Sequence, residues 1–183
     1  MIPDIPFVEW PKIARFSRDV VVTEKIDGTN AQVYVNDTMT EVFAGSRTQW
    51  ITPEKDNAGF ARWVMEHKDE LLKLGPGSHF GEWWGAGIQR KYGMTVKKFS
   101  LFNTHRWSDP TTRPACCDVV PVLWRGPLDR LNVNEILGKL VETGSVAAPG
   151  FMKPEGIVIY HTVGNWLLKK TIEKDDQPKG KTE

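Results

Sequence analysis

The residues best suited to chemistry lie in the segment 24–30, which reads EKIDGTN. Lys25 ends a β-branched, apolar run, and because burial disfavours a charged ammonium, a lysine at this position can serve as a free-amine nucleophile. Gly28 allows the backbone to turn sharply beside a ligand, and Asp27 and Asn30 supply polar groups next to the amine. Taken alone, these seven residues more often form a hairpin turn with a solvated lysine.

Two glutamates stand in or beside apolar strands further along the chain. Glu82 lies within the aromatic stretch 80–85 (FGEWWG), where a buried carboxylate needs a polar partner. A glutamate at a solvated strand end is the alternative. Glu155 directly precedes the apolar run 156–159 (GIVI), and a carboxylate at the mouth of such a strand suits a hard divalent cation.

Four further residues are candidates for phosphate or base contacts. Arg47, in 45–48 (GSRT), carries a guanidinium that donates paired hydrogen bonds to phosphate, although a surface arginine is the default. Phe102 lies in a predicted strand, where core packing is the usual role of a phenylalanine. Lys169 and Lys170 are adjacent, so in a strand they point to opposite faces and only one can enter a given pocket.

The stretch between Glu82 and Asp109 contains no acidic residue. It carries five basic residues: Arg90, Lys91, Lys97, Lys98 and Arg106. Four aromatic residues are interleaved with them: Trp83, Trp84, Tyr92 and Trp107. Basic residues attract phosphates and aromatic rings stack on unpaired bases, which predicts a nucleic-acid-binding face. A solvated basic loop above tryptophans of the core fits the pattern equally well.

The elements that must position these residues are short strands and two helices. Strands are predicted over 19–26, 31–35, 41–44, 79–83, 96–102, 119–123, 156–160 and 166–170, and the first three are expected to form an antiparallel meander. Helices are predicted over 57–74 and 133–142, the second with Asn132 as N-cap and Gly144 beyond its end. Residues 1–18 read as an irregular lead-in and the polar residues from 173 as a frayed tail. This pattern indicates an α+β domain of antiparallel sheets with flanking helices.

Composition narrows the class of protein. The 183 residues have a net charge of +1 and are 40% hydrophobic, which excludes a histone-like or largely disordered chain. No apolar run approaches the ~20 residues of a membrane helix. The two cysteines, Cys116 and Cys117, are adjacent and predict neither a disulfide nor a zinc site. We therefore expect a cytoplasmic protein.

Six segments resemble, in order, the motifs of the covalent nucleotidyltransferases, the superfamily of DNA ligases, RNA ligases and mRNA capping enzymes. Residues 25–30 (KIDGTN) resemble motif I, KxDGxN. Segments 45–48, 80–85, 99–103, 154–159 and 166–171 resemble motifs Ia, III, IIIa, IV and V. Asn103 stands where the family often has Asp, and adjacent lysines replace the usual KxK of motif V. The resemblance covers nearly the whole chain.

The resemblance implies a role for each matched residue. Lys25 would attack the α-phosphorus of a nucleoside triphosphate, and Glu155 would serve a Mg²⁺ site. Glu24 before the lysine and Asn30 resemble the RNA ligase branch, in which the glutamate reads the adenine edge, so ATP is the expected nucleotide. Asp27 and Gly28 would also contact the nucleotide, and Arg47 would contact either the nucleotide or the nucleic-acid end. Glu82 would bind the ribose and Phe102 would stack on the purine. Lys169 would contact the α-phosphate, with Lys170 or Lys153 in place of the second lysine of motif V.

The implied protein is a nucleotidyltransferase (ATP-grasp-like ligase) domain over residues 1–172, with a tail at 173–183 and no OB-fold domain. Its implied activity is that of an ATP-dependent RNA ligase that uses Mg²⁺ and joins 5′-phosphate and 3′-hydroxyl ends through a lysyl-AMP intermediate. A minimal DNA ligase and a non-catalytic nucleotide- or nucleic-acid-binding domain are the alternatives. Because few residues follow motif V, RNA or a nicked duplex would be held by the domain's own face or by a protein partner.

Overall fold

Two β-sheets with separate hydrophobic cores build residues 5–176, the part of the chain that this computed structural model describes. The strands are β1 (Asp19–Lys25), β2 (Thr29–Val35), β3 (Val42–Gly45), β4 (Trp50–Ile51), β5 (Gly77–Gly85), β6 (Lys97–Leu101), β7 (Cys117–Val119), β8 (Val122–Pro127), β9 (Gly156–His161) and β10 (Trp166–Thr171). The helices are α1 (Phe60–Glu66), α2 (Lys68–Leu71), α3 (Thr104–Trp107) and α4 (Val133–Thr143), with 3₁₀ turns at Leu72–Leu74 and Leu128–Arg130. The α+β class predicted from the sequence is confirmed.

The first sheet has the strand order β10-β9-β1-β8 and is antiparallel throughout. Val20 and Val22 alternate along β1 and are fully buried, because this face of the sheet packs on Ile136 and Leu140 of α4. The predicted cap of α4 is confirmed, since the side chain of Asn132 accepts a hydrogen bond from the backbone of Glu135. The opposite face of the sheet carries Lys25.

The second sheet has the strand order β4-β3-β2-β5-β6-β7. Val33 and Val35 of β2 face the core, where they pack with Phe60 and Val64 of α1 and with Phe99 of β6. All of the pairings are antiparallel except that of β7 with β6, which is parallel. The other face of this sheet lies open beside the candidate site.

The predicted meander of the first three strands is wrong at its first turn. β1 and β2 do not form a hairpin but belong to different sheets. Residues 26–28 carry the chain from the first sheet to the second. Ile26 is buried there in a third hydrophobic cluster, with Trp84, Tyr92 and Val120. A short apolar strand followed by Asp-Gly has the same local pattern in a hairpin and in a crossover, and long-range packing decides between them. The hairpin of β2 and β3 is confirmed.

Three other elements differ in extent from the prediction. The strand predicted over 119–123 is two strands, β7 and β8, which lie in different sheets because the chain crosses between them at Val120 and Pro121. The helix predicted over 57–74 leaves helical geometry at His67 and continues as α2 and a 3₁₀ turn. Strand β4 and helix α3 are additional. Cys116 and Cys117 are free thiols, with their sulfurs 3.8 Å apart.

The C-terminal hairpin of β9 and β10 is confirmed, and the tail that follows begins as an ordered turn. The carboxylate of Asp175 accepts hydrogen bonds from the Lys170 ammonium at 2.7 Å and from the Thr171 backbone at 2.8 Å. The frayed tail predicted from residue 173 is therefore wrong for 173–176, and residues 177–183 lie outside the described part. The irregular lead-in is confirmed over residues 5–18. No helix within 5–176 is long and apolar enough to span a membrane.

We predict that Gly156→Ala destabilises the protein by about 1–3 kcal/mol, the usual range for overpacking. A Cβ at Gly156 would overlap the carbonyl oxygen of Lys170 and lie 2.7 Å from the Cα of Thr171, so β10 would have to move away from β9. Urea unfolding measures the change. Gly138→Ala is the matched control, because no atom lies within 4 Å of its Cβ position in α4 and alanine favours a helix by about 0.5–1 kcal/mol. Equal effects of the two substitutions would contradict the prediction.

Candidate active site at the junction of the two sheets

Lys25 and Glu155 form an ion pair at the centre of the candidate site. The Nζ of Lys25 lies 2.6 Å from Oε2 of Glu155, whose side chain is only 2% exposed. The two residues meet because Lys25 is paired with Gly156 in the register of β1 and β9. The Lys25 side chain keeps 19% exposure, so the amine is accessible from one side. The sequence-predicted nucleophile and metal ligand are thus direct neighbours.

Glu82 joins the second sheet to the segment that follows Lys25. Its carboxylate accepts hydrogen bonds from the backbone of Gly28 at 3.0 Å and from the side-chain amide of Asn30 at 3.3 Å. A Cβ at Gly28 would overlap the carbonyl of Trp83 and lie 2.7 Å from the Cβ of Trp84, so only glycine permits this close approach. The buried carboxylate has the polar partners that its aromatic surroundings required.

Asp27 is fixed by contacts with two residues of the 85–96 loop. Its carboxylate receives the guanidinium of Arg90 at 3.0 Å, and its backbone donates to the hydroxyl of Tyr92 at 2.7 Å. Tyr92 packs edge-on against Trp84 and lies against Phe151. Burial raises the pKa of Tyr92 far above its ordinary value, so the hydroxyl stays protonated and neutral beside the buried backbone.

Glu24 is 1% exposed and lies on the opposite face of β1 from Lys25. Its carboxylate accepts three hydrogen bonds from the loop after α4: from Ser145 Oγ at 2.6 Å, from Val146 N at 2.8 Å and from Ala147 N at 2.9 Å. The sequence singled out Glu24 but not Ser145, because nothing in the local pattern around a buried serine indicates its partner 121 residues away.

Phe102 lies at the open face of the second sheet, beyond Glu82, with 41% of its surface exposed. Its backbone donates to the carbonyl of Phe80, the neighbouring open-face residue of β5, which is also exposed. A solvent-exposed phenylalanine beside a buried carboxylate can stack on a flat ligand. Phe80 was not among the predicted residues, although its two-residue spacing from Glu82 places both side chains on one face.

The two adjacent lysines of β10 differ in their surroundings, although both are exposed. The register places Lys169 opposite Val158 and Thr23, on the same face of the sheet as Lys25. Lys170 lies on the other face and pairs with Asp175 at 2.7 Å. Arg47 is exposed in the turn between β3 and β4. The strand geometry therefore favours Lys169 over Lys170, as expected from the sequence.

The aromatic part of the nucleic-acid-binding face predicted for the basic stretch is wrong, whereas the phosphate contacts of its basic residues stay a prediction. Arg90 points to Asp27 and to the carbonyl of Lys153, inside the candidate site. Lys97 donates to a backbone carbonyl at 2.8 Å and Lys98 pairs with an aspartate at 3.0 Å, whereas Lys91 is exposed. The four interleaved aromatic residues are buried, so they cannot stack on bases: Trp83, Trp84, Tyr92 and Trp107. Within residues 5–176, no group of three or more His, Cys, Asp or Glu side chains is arranged to hold a metal.

Comparisons with solved structures identify the fold of this site. Naegleria gruberi RNA ligase with ATP and Mn superposes with a TM-score of 0.61 at 20% identity, over 85% of this chain and 50% of that chain. The same ligase with PPi superposes with a TM-score of 0.59 at 22% identity and has the same coverage. An archaeal ATP-dependent RNA ligase gives 0.61 at 19% identity, over 88% of this chain and 48% of that chain. The chain thus spans about half the length of the ligases that it matches.

Comparison by sequence alone gives two results. A search of curated proteins finds no match. The family model described as RNA ligase matches residues 18–174, which include every candidate residue from Glu24 to Lys170. Because this match covers most of the sequence and agrees with the fold, the chain belongs to the RNA ligase family.

Proposed function

We propose that the protein is an ATP-dependent RNA ligase in which Lys25 forms a covalent lysyl-AMP intermediate, and that residues 1–172 constitute its adenylyltransferase domain. The observation that carries this proposal is the Lys25–Glu155 pair, at 2.6 Å, where the two sheets meet. Membership of the RNA ligase family and the likeness to ligases solved with ATP and Mn support it. The proposed substrates are ATP and RNA ends.

In the proposed first step, Nζ of Lys25 attacks the α-phosphorus of ATP. A P–N bond forms, the P–O bond to the leaving group breaks, and pyrophosphate departs. The attack requires a lone pair on nitrogen, so the ammonium must first lose its proton to water, and the contact with Oε2 of Glu155 holds the nitrogen in position. Lys169, on the same face of the sheet as Lys25, would neutralise charge that develops on the phosphoryl oxygens.

A divalent cation fits the chemistry of Glu155 but needs further ligands. A carboxylate oxygen is a hard donor that suits Mg²⁺, which commonly binds through one or two carboxylates together with substrate phosphates and water. Glu155 would hold such an ion, which would supply positive charge to the triphosphate during transfer. The absence of a three-residue cluster within 5–176 agrees with a metal whose remaining ligands come from the nucleotide and water.

The other candidate residues would hold the nucleotide. Phe102 would stack on the purine and Glu82 would contact the ribose, because both lie on the open face of the second sheet.

In the second step an oxygen of an RNA 5′-phosphate attacks the AMP phosphorus and Lys25 leaves. In the third step a 3′-hydroxyl attacks the 5′-phosphorus, which forms the phosphodiester and releases AMP. Arg47, exposed near the open face, would contact the RNA end.

We predict that the protein, incubated with α-labelled ATP and Mg²⁺, forms a covalent protein–AMP adduct that survives denaturing electrophoresis and is lost on acid treatment, as expected of a P–N bond, and that Lys25→Ala abolishes it. Lys25→Arg should also abolish the adduct, because a guanidinium keeps the positive charge beside Glu155 but is not a nucleophile. Lys73→Ala, a surface lysine of the 3₁₀ turn, is the control that should label normally. Adduct formation by Lys25→Ala would reject this nucleophile, and no adduct with the unsubstituted protein would favour a non-catalytic binding domain.

The two motif V lysines give a second prediction. Lys169→Ala should slow adduct formation by about 10²–10³-fold, the effect of removing one group that stabilises transition-state charge. Lys170→Ala should change the rate little, because this side chain lies on the opposite face of the sheet from Lys25 and pairs with Asp175. Single-turnover labelling measures both rates. Equal losses in the two variants would contradict the assignment of Lys169.

The surroundings of Glu24 give a third prediction. Glu24→Ala should lower the free energy of unfolding by roughly 1–3 kcal/mol without nucleotide, because the buried hydroxyl of Ser145 and the partly buried backbone donors of Val146 and Ala147 would lose their acceptor. Denaturant unfolding of the apoprotein measures this, with the exposed Glu142→Ala as the matched control. If Glu24→Ala were as stable as the control, Glu24 would serve only the nucleotide.

A further inference from the structure

The open face of the second sheet continues beyond the candidate site as an aromatic surface. Four residues form this aromatic face: Tyr34, Phe43, Trp50 and Phe80. Trp50 is 59% exposed, Phe80 55% and Phe43 45%, whereas the valines on the other side of the same strands are buried in the core. Exposed apolar patches of this kind mark surfaces that bind other molecules.

Three of the four rings of the aromatic face, those of Tyr34, Phe43 and Trp50, pack against one another. The ring centroid of Tyr34 lies 5.9 Å from that of Trp50, in an edge-to-face arrangement, and 6.2 Å from that of Phe43. The ring centroids of Phe43 and Trp50 are 6.5 Å apart. Mutual edge-on packing holds each ring in place while leaving part of its surface free. Such rings are preorganised to stack on flat groups, since little side-chain entropy remains to be lost on binding.

The aromatic face is continuous with the candidate nucleotide site. On β2 and β5 the register pairs Asn30 with Glu82, then Gln32 with Phe80. The next residue of β2 on that face is Tyr34, which pairs with Phe43 of β3. From Phe102, directly after β6, to Phe43 on β3 the surface crosses four strands, roughly 14 Å at ~4.8 Å per strand, enough for a few nucleotides.

Polar groups within and beside the aromatic face suit nucleotides. Gln32 and Ser78 are hydrogen-bonded at 2.7 Å in an exposed position between the rings, and amide and hydroxyl groups can bind base edges. Arg47 is exposed in the turn that leads into Trp50 and can contact phosphate. Rings with interspersed hydrogen-bonding groups and an arginine match unpaired bases and their backbone better than an uninterrupted apolar partner.

We propose that the aromatic face binds the unpaired bases of the RNA strand whose end enters the candidate site. Trp50 and Phe43 stack on successive bases, and Arg47 binds the adjoining phosphate. This inference rests on the proposed function, because it takes the ligand's path from the position of the adenylylation site. The proposal adds a binding surface for bases that lie several nucleotides away from the reacting phosphate.

Binding of a 5′-phosphorylated single-stranded RNA at fixed salt tests the proposal, with fluorescence anisotropy as the readout. Trp50→Ala should weaken binding by about tenfold and the double variant with Phe43→Ala by more, as expected for lost base stacking. Met65→Ala, an equally exposed apolar side chain on α1, should bind like the unsubstituted protein. An RNA with abasic nucleotides near its 5′ end should bind weakly, and the aromatic substitutions should then cause no further loss.

Two further measurements separate the possible outcomes. Adduct formation with labelled ATP should be unchanged in the aromatic variants, so a protein that labels normally but shows no loss of RNA affinity overturns this inference and leaves the proposed function standing. The reverse result, lost RNA affinity in a protein that never labels, overturns only the proposed function. If self-association of the unsubstituted protein, seen by sedimentation, disappears in the double variant while RNA affinity is unchanged, the face binds a second copy and the inference is wrong.

Cross-linking tests the unsubstituted protein directly, so the result does not depend on folding of the variants. RNA carrying 5-iodouridine near its 5′ end should cross-link to Phe43 or Trp50, identified by peptide mass spectrometry. Cross-links found only outside the aromatic face would overturn the inference.

Discussion

The contact between the ammonium of Lys25 and the buried carboxylate of Glu155 sets the geometry of the rest of the site. A carboxylate that is 2% exposed needs a positive or hydrogen-bonding partner, and loss of one member of a buried ion pair typically costs about 3–5 kcal/mol. Strand register satisfies this requirement, since β9 places Gly156 opposite Lys25. The same contact that stabilises the junction therefore holds the amine at the mouth of the cleft.

Glu82 and Arg90 extend this constraint into the second sheet and its loop. Glu82 accepts from Gly28 and Asn30, while Arg90 binds Asp27. Asp27, Gly28 and Asn30 of motif I are thus each held by a residue distant in sequence, and these contacts come from charged groups that are wholly or partly buried. Such a network is sensitive to substitution, because removal of one partner leaves another buried and unsatisfied.

The sequence singled out the side chains of the candidate site better than it predicted the topology that positions them. Residue types at strand ends identified Lys25, Glu82 and Glu155, because buried charge next to apolar runs is a local pattern. The crossover after Lys25 could not be predicted, since the choice between a hairpin and a change of sheet depends on packing of Ile26 against Trp84 and Tyr92. For the same reason Arg90 was assigned to a basic face, although its partner is a motif aspartate 63 residues away.

The separation of Lys25 and Glu155 by 130 residues has a consequence for biosynthesis. A ribosome-bound chain that has emerged only as far as α4 already contains the amine, yet it lacks the strand that supplies the carboxylate. Contacts this distant in sequence form late, because the intervening loop must close before they contribute. The central ion pair of the candidate site thus forms only after the C-terminal hairpin is translated and docked, and premature termination before residue 155 yields a polypeptide with half of that pair.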